Sequence, residues 1–263
     1  MRSALQEYPA SSGSIIVINP KTGAILAMAS TPCFSPGEFY ETDPSLLLNP
    51  AVSQQHEPGS VMKLITMAAA LDSGVVTPQS TYYDAGVIEV GGHQTYNWDR
   101  SAPGTTDMTT LLARSLNVGA ATLATLMGPD VYYDYLQRFG FGRPTGIDLM
   151  SEAAGQMPLP GDEFWTESFI ATNAYGQGIA VTPLQMITAA SALANGGVMM
   201  QPYLVQEIRG ESGTFVHEPT ILSRPISPEI ADQVTAMATT AVARETLEAQ
   251  IEGYTIAGKT GTA

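Results

Sequence analysis

The order of the secondary-structure patterns along this chain constrains its fold more than any other feature of the sequence. Two β-rich runs, residues 14–19 and 23–30, flank the turn residues Pro20-Lys21-Thr22 and predict a hairpin. Helical patterns then dominate up to about residue 244, and residues 254–260 return to strand character. This order indicates an α/β layer that carries a helical insertion.

The helical stretch divides at recognisable start and stop signals. An apolar pattern begins at Ser60 and ends at Gly74, which predicts a buried helix with the serine at its start. Thr182-Pro183-Leu184-Gln185 and Ser227-Pro228-Glu229 each supply an N-cap followed by a proline at the first helical position. The remaining helices are predicted at residues 107–114, 118–127 and 131–139.

The composition is that of one large globular domain, since 44% of the 263 residues are hydrophobic and 14% are charged. The formal net charge of -14 leaves no cluster of Lys and Arg for a phosphate backbone, so we expect no nucleic-acid partner. No apolar run reaches the roughly 20 residues of a membrane helix, and no signal-peptide pattern opens the chain. His56, His93 and His217 are widely scattered, so we predict no metal site and no cofactor.

Only three lysines occur in the sequence, and two of them lie in settings that suggest catalysis. Ser60-Val61-Met62-Lys63 places a hydroxyl and an amine three residues apart, on one face of the predicted helix. A serine hydroxyl becomes a good nucleophile when a base removes its proton, and a neutral lysine amine can be that base. The sequence therefore predicts Ser60 as a nucleophile and Lys63 as its base.

The amine of Lys63 must lose its charge before it can accept a proton. Lowering its pKa from about 10.4 to roughly 7 requires about 4 kcal/mol of destabilisation of the ammonium form. The positive end of a helix supplies only about 0.3 to 1 kcal/mol. Burial and a second cation must supply the rest, and Lys259 is the only other lysine in a suitable setting. We therefore expect Lys259 to lower the pKa of Lys63.

Three short motifs follow one another along the chain: Ser60-x-x-Lys63, Ser115-x-Asn117 and Lys259-Thr260-Gly261. Each alone is weak, because Ser60 could be an ordinary helix N-cap and Ser115 could belong to a turn between helices. Lys21-Thr22-Gly23 repeats the last tripeptide inside the predicted hairpin, where it is simply a turn. The ordered set, which is shared by β-lactamases and penicillin-binding proteins, is the specific signal.

With these motifs the chain resembles the transpeptidase domain of a class B penicillin-binding protein over nearly its whole length. The further stretches that carry the resemblance are residues 23–30, Glu57-Pro58-Gly59-Ser60, Phe139-Gly140-Phe141-Gly142, Gly176-Gln177-Gly178, Thr182-Pro183-Leu184-Gln185 and residues 258–263. The resemblance implies a single domain with a β-lactamase/transpeptidase-like α/β fold. Its antiparallel sheet part would take about residues 1–35 and 196–263, and its mainly helical part about residues 50–195.

The resemblance also implies a reaction and a set of roles. Ser60 would be acylated by the D-Ala-D-Ala end of a peptidoglycan stem peptide, or by a β-lactam, with Lys63 as base and Ser115 as proton relay. A second stem peptide would then resolve the ester with its amine, whereas water as acceptor would make the protein a carboxypeptidase. The substrate-binding residues would be Asn117 for the amide, Lys259 and Thr260 for the terminal carboxylate, Gly261 and Thr262 on the same strand, and the backbone N–H groups of Ser60 and Thr262 as the oxyanion hole.

Two other functions are compatible with these residues. A serine β-lactamase of the class D type would carry a carbamylated Lys63. No deacylating Glu is recognisable before Gly176, however, and Tyr175-Gly176-Gln177-Gly178 differs from the Tyr-Gly-Asn of that class. A β-lactam sensor or noncatalytic scaffold would keep the same fold without cross-linking peptides.

The resemblance further implies that more strands, an N-terminal anchor and a non-catalytic domain belong to the parent protein. We therefore expect the chain to be truncated at both ends, with residues 258–263 as an edge strand without its neighbour. Such a chain should be marginally stable and acylate poorly on its own. The parent is expected at the extracytoplasmic face of the bacterial cell membrane, with cell-wall synthesis proteins as partners.

Overall fold

The structure, a computed structural model, describes Glu7 and residues 10–211 and 213–262, and its first large element is a hairpin. Strand β1 (Gly13–Ile18) pairs antiparallel with β2 (Ile25–Thr31), and Gly13 lies opposite Thr31. Asn19 forms the turn, since its side-chain oxygen accepts from the N–H of Lys21 at 3.0 Å. The predicted hairpin is confirmed, and Lys21 lies in its turn.

The other strands also pair two by two, and every pair is antiparallel, as predicted for the sheet. Their bounds are β3 (Thr81–Asp84) with β6 (Gly104–Asp107), β4 (Val87–Val90) with β5 (His93–Tyr96), β7 (Met199–Met200) with β10 (Ile221–Ser223), and β8 (Glu207–Gly210) with β9 (Gly213–Val216). The pairs β3–β6 and β4–β5 lie inside the predicted mainly helical part. The division of the chain into two parts therefore stays a prediction.

Seven α-helices make up the helical part of the described residues, and their starts follow the predicted caps. Thr182 and Gln185 form a reciprocal capping box, and the Ser227 hydroxyl accepts from the N–H of Ile230. The helices are α1 (Pro50–Ser53), α2 (Met62–Asp72), α3 (Met108–Ala113), α4 (Asn117–Arg138), α5 (Ser168–Ala174), α6 (Pro183–Leu193) and α7 (Pro228–Glu245). Short 3-10 turns occur at Pro36–Glu41, Pro44–Leu46, Gly59–Val61 and Leu247–Ala249.

Helix α4 joins two helices that the sequence predicts separately. Gly128 has φ 75° and precedes Pro129, so the helical hydrogen bonding is interrupted at that point. The segments on either side correspond to the predicted helices at 118–127 and 131–139.

Helix α2 lies at the centre of the core. Nine of its eleven residues are buried, and it packs against α4, α5, α6 and α7. A helix that is buried on all sides leaves little room for polar side chains, yet Lys63 belongs to its first turn. The fold therefore removes this lysine from water. No helix within the described part of the chain has both the length and the apolar character to cross a membrane.

The predictions of a strand at residues 254–260 and of an edge strand at residues 258–263 are wrong over the described residues, which end at Thr262. The described residues from Gln250 to Thr262 contain no strand, and the turn bond from Tyr254 N–H to the Ile251 carbonyl is their one backbone hydrogen bond beyond residue 250. Tyr254, Thr255 and Ile256 have high β-propensity, but a strand also needs a neighbour whose N–H and C=O groups complete its ladder. The segment instead runs past the start of α2, where Gly261 lies beside Val61.

Candidate active site

Ser60 lies in the single turn of 3-10 helix that leads into α2. The preceding Gly59 has φ 57°, and its N–H donates to the carbonyl of Gly176 at 3.0 Å. The loop after α5 therefore supports the turn that presents the serine. Ser60 itself is half-buried and borders an open cleft.

The Lys63 side chain is 1% exposed and has four oxygen atoms around its Nζ. The Ser60 Oγ is at 2.9 Å and the Ser115 Oγ at 3.1 Å. The Ser115 carbonyl and the Asn117 Oδ1 are both at 2.6 Å. The structure therefore brings together four residues that the motifs predict, from positions more than 50 apart in the chain.

The pKa of Lys63 is lowered to about 6, first by burial and second by the positive charge of Lys259. A neutral amine has two N–H donors and one lone pair. Carbonyl oxygens can only accept, so the two N–H groups are directed to Ser115 O and Asn117 Oδ1. The lone pair remains for a hydroxyl proton, and the Ser60 Oγ is the nearer of the two hydroxyl oxygens.

Ser115 and Asn117 occupy the junction between α3 and α4. Ser115 has φ 56°, in the left-handed region, and Asn117 is the first residue of α4. The Asn117 Nδ2 donates to the carbonyl of Tyr96 at 3.0 Å, which directs its Oδ1 toward Lys63. Both carbonyl acceptors of the Lys63 amine thus come from one fixed junction.

The last predicted motif lies beside the turn that carries Ser60. Thr260 and Thr262 line the cleft, and Gly261 lies beside Val61 and the carbonyl of Pro58. Lys259 is half-buried, and burial lowers its pKa to about 8. Its Nζ donates to the carbonyl of Thr260 at 3.0 Å, and its side chain lines an adjoining apolar cavity of about 440 Å³ between α2, α6 and α7.

The cleft has a volume of about 740 Å³ and is bordered by Ser60, Ser115, Asn117, Thr260 and Thr262. Its walls also contain Trp98, Arg114, Tyr175, Gln177, Glu245, Thr246 and Glu248. Glu245, the last residue of α7, and Glu248, in the 3-10 turn that follows, are part of no motif in the sequence. Only the packing of α7 against α2 and α3 brings them to the cleft.

Comparison with known proteins gives one consistent result. The family model described as the penicillin binding protein transpeptidase domain matches residues 13–263. Stage V sporulation protein D of Bacillus subtilis is 37% identical over 259 residues, which cover 94% of this chain and 39% of that protein. This chain spans less than half the length of the curated relatives that it matches.

Two solved structures share the fold. Penicillin-binding protein 3 of Mycobacterium tuberculosis, in complex with aztreonam, is 34% identical with a TM-score of 0.89, over 99% of this chain and 60% of that chain. The D,D-transpeptidase domain of a peptidoglycan glycosyltransferase from Eggerthella lenta is 29% identical with a TM-score of 0.91. That match covers 100% of this chain and 69% of the other.

Proposed function

Because this chain belongs to the penicillin-binding protein transpeptidase family, as its sequence predicts, we propose that the intact protein is a serine D,D-transpeptidase that cross-links peptidoglycan stem peptides. The observation that supports this most is the Lys63 amine, which is 2.9 Å from the Ser60 Oγ and has its N–H groups directed to two carbonyls. A base in this state can take the serine proton.

In the first step, the Ser60 Oγ bonds to the carbonyl carbon of the penultimate D-Ala as its proton passes to Lys63. The bond from that carbon to the nitrogen of the terminal D-Ala then breaks, and the nitrogen takes a proton through Ser115. In the second step, the amine nitrogen of another stem peptide bonds to the ester carbon, and the bond from that carbon to the Ser60 Oγ breaks. The amine proton passes through Ser115 and Lys63 to the Ser60 Oγ. A β-lactam would react by the first step alone, with its ring nitrogen as the group that takes the proton.

The binding roles of the remaining motif residues are carried over from the family resemblance. Lys259 and Thr260 would hold the terminal carboxylate, and Asn117 the substrate amide next to the reacting carbon. The backbone N–H groups of Ser60 and Thr262 would stabilise the oxyanion of the tetrahedral intermediate. Gly261 would allow the substrate backbone to lie against this segment.

Two of the relatives are named as peptidoglycan D,D-transpeptidases, and peptidoglycan lies outside the cytoplasm. We extend this to the intact protein, which would act at the extracytoplasmic face of the cell membrane with other cell-wall synthesis proteins. The stem peptides that it would join are located there.

The function is tested by treating the intact protein with a fluorescent penicillin. We expect one stable covalent adduct, located on Ser60 by mass spectrometry, and no adduct in Ser60→Ala. Cross-linked muropeptides formed from stem peptides would distinguish a transpeptidase from a sensor of the same fold. Sustained hydrolysis of a chromogenic cephalosporin would instead indicate a β-lactamase, and an adduct that persists in Ser60→Ala would remove Ser60 from the mechanism.

The pH dependence of acylation provides a separate prediction. Below pH 6 Lys63 is protonated and cannot accept a proton, so the second-order rate constant should rise as the pH passes its pKa of about 6. Above pH 8 Lys259 loses the charge that would hold the substrate carboxylate, so the rate constant should fall as the pH passes its pKa of about 8. The expected profile is a bell with limbs near these two values.

The substitution Lys259→Met tests whether Lys63 and Lys259 produce the acidic and alkaline limbs of this pH profile. Removing this positive charge raises the pKa of Lys63, so the acidic limb should move to higher pH, and the alkaline limb should disappear. Lys21→Met is the matched control, because Lys21 has the same tripeptide context but lies in the hairpin turn. An unchanged profile in Lys259→Met would contradict both assignments.

A further inference from the structure

The junction that supplies both carbonyl acceptors of Lys63 ends α3 and begins α4. On the α3 side it is stabilised locally, since the N–H groups of Ser115 and Leu116 donate to carbonyls in the last turn of α3. Ser115 has φ 56°, which non-glycine residues adopt only at an energetic cost. The N-cap of α4 is Leu116, whose side chain cannot accept a hydrogen bond from the first turn. The first turn of α4 therefore needs a hydrogen-bond acceptor from another part of the protein.

Three consecutive residues at the end of β5 hold this junction from outside. The Tyr96 carbonyl accepts from Asn117 Nδ2 at 3.0 Å, and the Trp98 Nε1 donates to the Arg114 carbonyl at 3.0 Å. Between them, the Asn97 Oδ1 accepts from the N–H of Val118 at 3.1 Å. Asn97 thus supplies the helix cap that Leu116 lacks, one residue after Asn117.

Asp84 and the carbonyl of Ser101 together determine the orientation of the Asn97 amide, since the Asn97 Nδ2 also donates to Ser101 O at 3.0 Å. Asn97 is 1% exposed, and its Nδ2 donates to both Asp84 oxygens, at 3.0 and 3.1 Å. Asp84 is fully buried, and no Lys or Arg of the described residues lies within 4 Å of its carboxylate. A carboxylate and a carbonyl can only accept, so Asn97 must present its NH₂ to these two groups and its oxygen to Val118.

A buried carboxylate without a cation is costly, and an apolar residue would fill the same space at lower cost. Two further donors offset the cost of burying the Asp84 carboxylate. They are the N–H of Gly86 at 2.8 Å and the Tyr82 hydroxyl at 2.9 Å. Unlike an apolar residue, the Asp84 carboxylate provides two acceptors for the Asn97 Nδ2 and so helps to hold that amide in one orientation. The oxygen of that amide accepts from the first turn of α4, and the first residue of α4, Asn117, contacts Lys63.

We propose that Asp84 and Asn97 form a positioning pair that fixes Ser115 and Asn117 around the Lys63 amine for the acylation of Ser60. Neither residue contacts Lys63, so both act through the junction between α3 and α4. The proposal rests on the acyl-enzyme function proposed above. Wild-type labelling by penicillin tests that function independently of this pair.

The experiment measures the acylation of the intact protein by a fluorescent penicillin for Asn97→Ala and Asp84→Asn. Asn97→Ala removes the cap, and Asp84→Asn weakens the restraint on the amide orientation while it keeps the size of the side chain. We expect Asn97→Ala to lower the second-order rate constant about ten- to hundredfold, since a shift of ~1 Å at a reacting group costs about 10²-fold. Asp84→Asn should have a smaller effect in the same direction. The acidic limb of the pH profile should move to higher pH in both, because water that reaches Lys63 favours its charged form.

A control variant separates positioning from general stability. Asn195→Ala removes another side-chain bond to a loop, from Asn195 Nδ2 to the Val198 carbonyl, in the turn after α6. It should lower the melting temperature and leave the rate constant of the folded protein within about twofold of the wild type. Each rate constant is calculated for the fraction of the protein that is labelled at completion, so that unfolded protein does not lower it.

A double-mutant cycle then asks whether Asn97 acts through Asn117. On the Asn117→Ala background, Asn97→Ala should cost less than about threefold, because the contact that it positions is already gone. An equal cost on both backgrounds would overturn the proposal. Acylation of both single variants at the wild-type rate, with an unshifted pH profile, would also overturn it, and Asp84→Asn alone decides this if Asn97→Ala does not fold.

Discussion

Replacing Lys63 by methionine is expected to slow the acylation of Ser60 by about 10²- to 10⁴-fold, which is the usual contribution of a general base. The methionine side chain has a similar length and suits a buried position, but it has no lone pair that can take the serine proton. Steady-state and stopped-flow labelling of the intact protein by a fluorescent penicillin would measure the loss.

Two variants show whether the loss arises from missing base chemistry. Lys63→Arg keeps the positive charge and part of the length, but its guanidinium does not lose a proton at accessible pH, so it should also be slow. Lys21→Met changes a lysine in the hairpin turn and should retain the wild-type rate. If Lys63→Met acylates at more than a tenth of the wild-type rate while remaining folded, Lys63 is not the base.

Replacing Gly176 by alanine is expected to destabilise the protein and to slow acylation together. Gly176 has φ +85°, and a Cβ there would lie 2.7 Å from the carbonyl carbon of Gly59 and closer still to its N and O. The left-handed backbone alone costs an L-residue about 1 to 2 kcal/mol. The overlap adds to this cost, because it can be relieved only by moving the turn that carries Ser60.

Gly74→Ala is the matched control for Gly176→Ala. Gly74 follows α2 with φ +76°, and a Cβ there has no atom within 4 Å. Both variants therefore carry the backbone cost, and only Gly176→Ala carries the overlap. We expect a lower melting temperature in both and slow acylation in Gly176→Ala alone. Equal melting temperatures and equal acylation rates for the two would show that the contact with Gly59 does not position the serine.

The elements that the sequence predicts well are those whose signals are local. Thr182 and Ser227 cap helices within three residues of themselves, and the turn at Asn19 forms from neighbouring atoms. The interruption of α4 lies at Gly128 because glycine adopts φ 75° easily and proline follows. In each of these elements, the contacts that fix the backbone join residues close together in the chain, so the local sequence pattern is sufficient to predict the element.

The strand predicted near Tyr254 failed for the opposite reason. Its residue types favour an extended backbone, but pairing depends on a second strand, which no property of the segment itself can supply. Glu245 and Glu248 at the cleft illustrate the same limit, because their place depends on how α7 packs.

The sequence by itself determined the chemical groups of the site and the family of the chain, because motif order and residue type are properties of the chain alone. It placed Ser60 and Lys63 on one helical turn, since residues three apart share a face. Only the tertiary structure decided the protonation state of Lys63, because burial in α2 and the charge of Lys259 lower its pKa to about 6. It also decided which groups surround that amine, and it connects Asp84 and Asn97 to the junction that carries two of those groups. Burial and orientation depend on contacts between distant parts of the chain, and no local pattern encodes them.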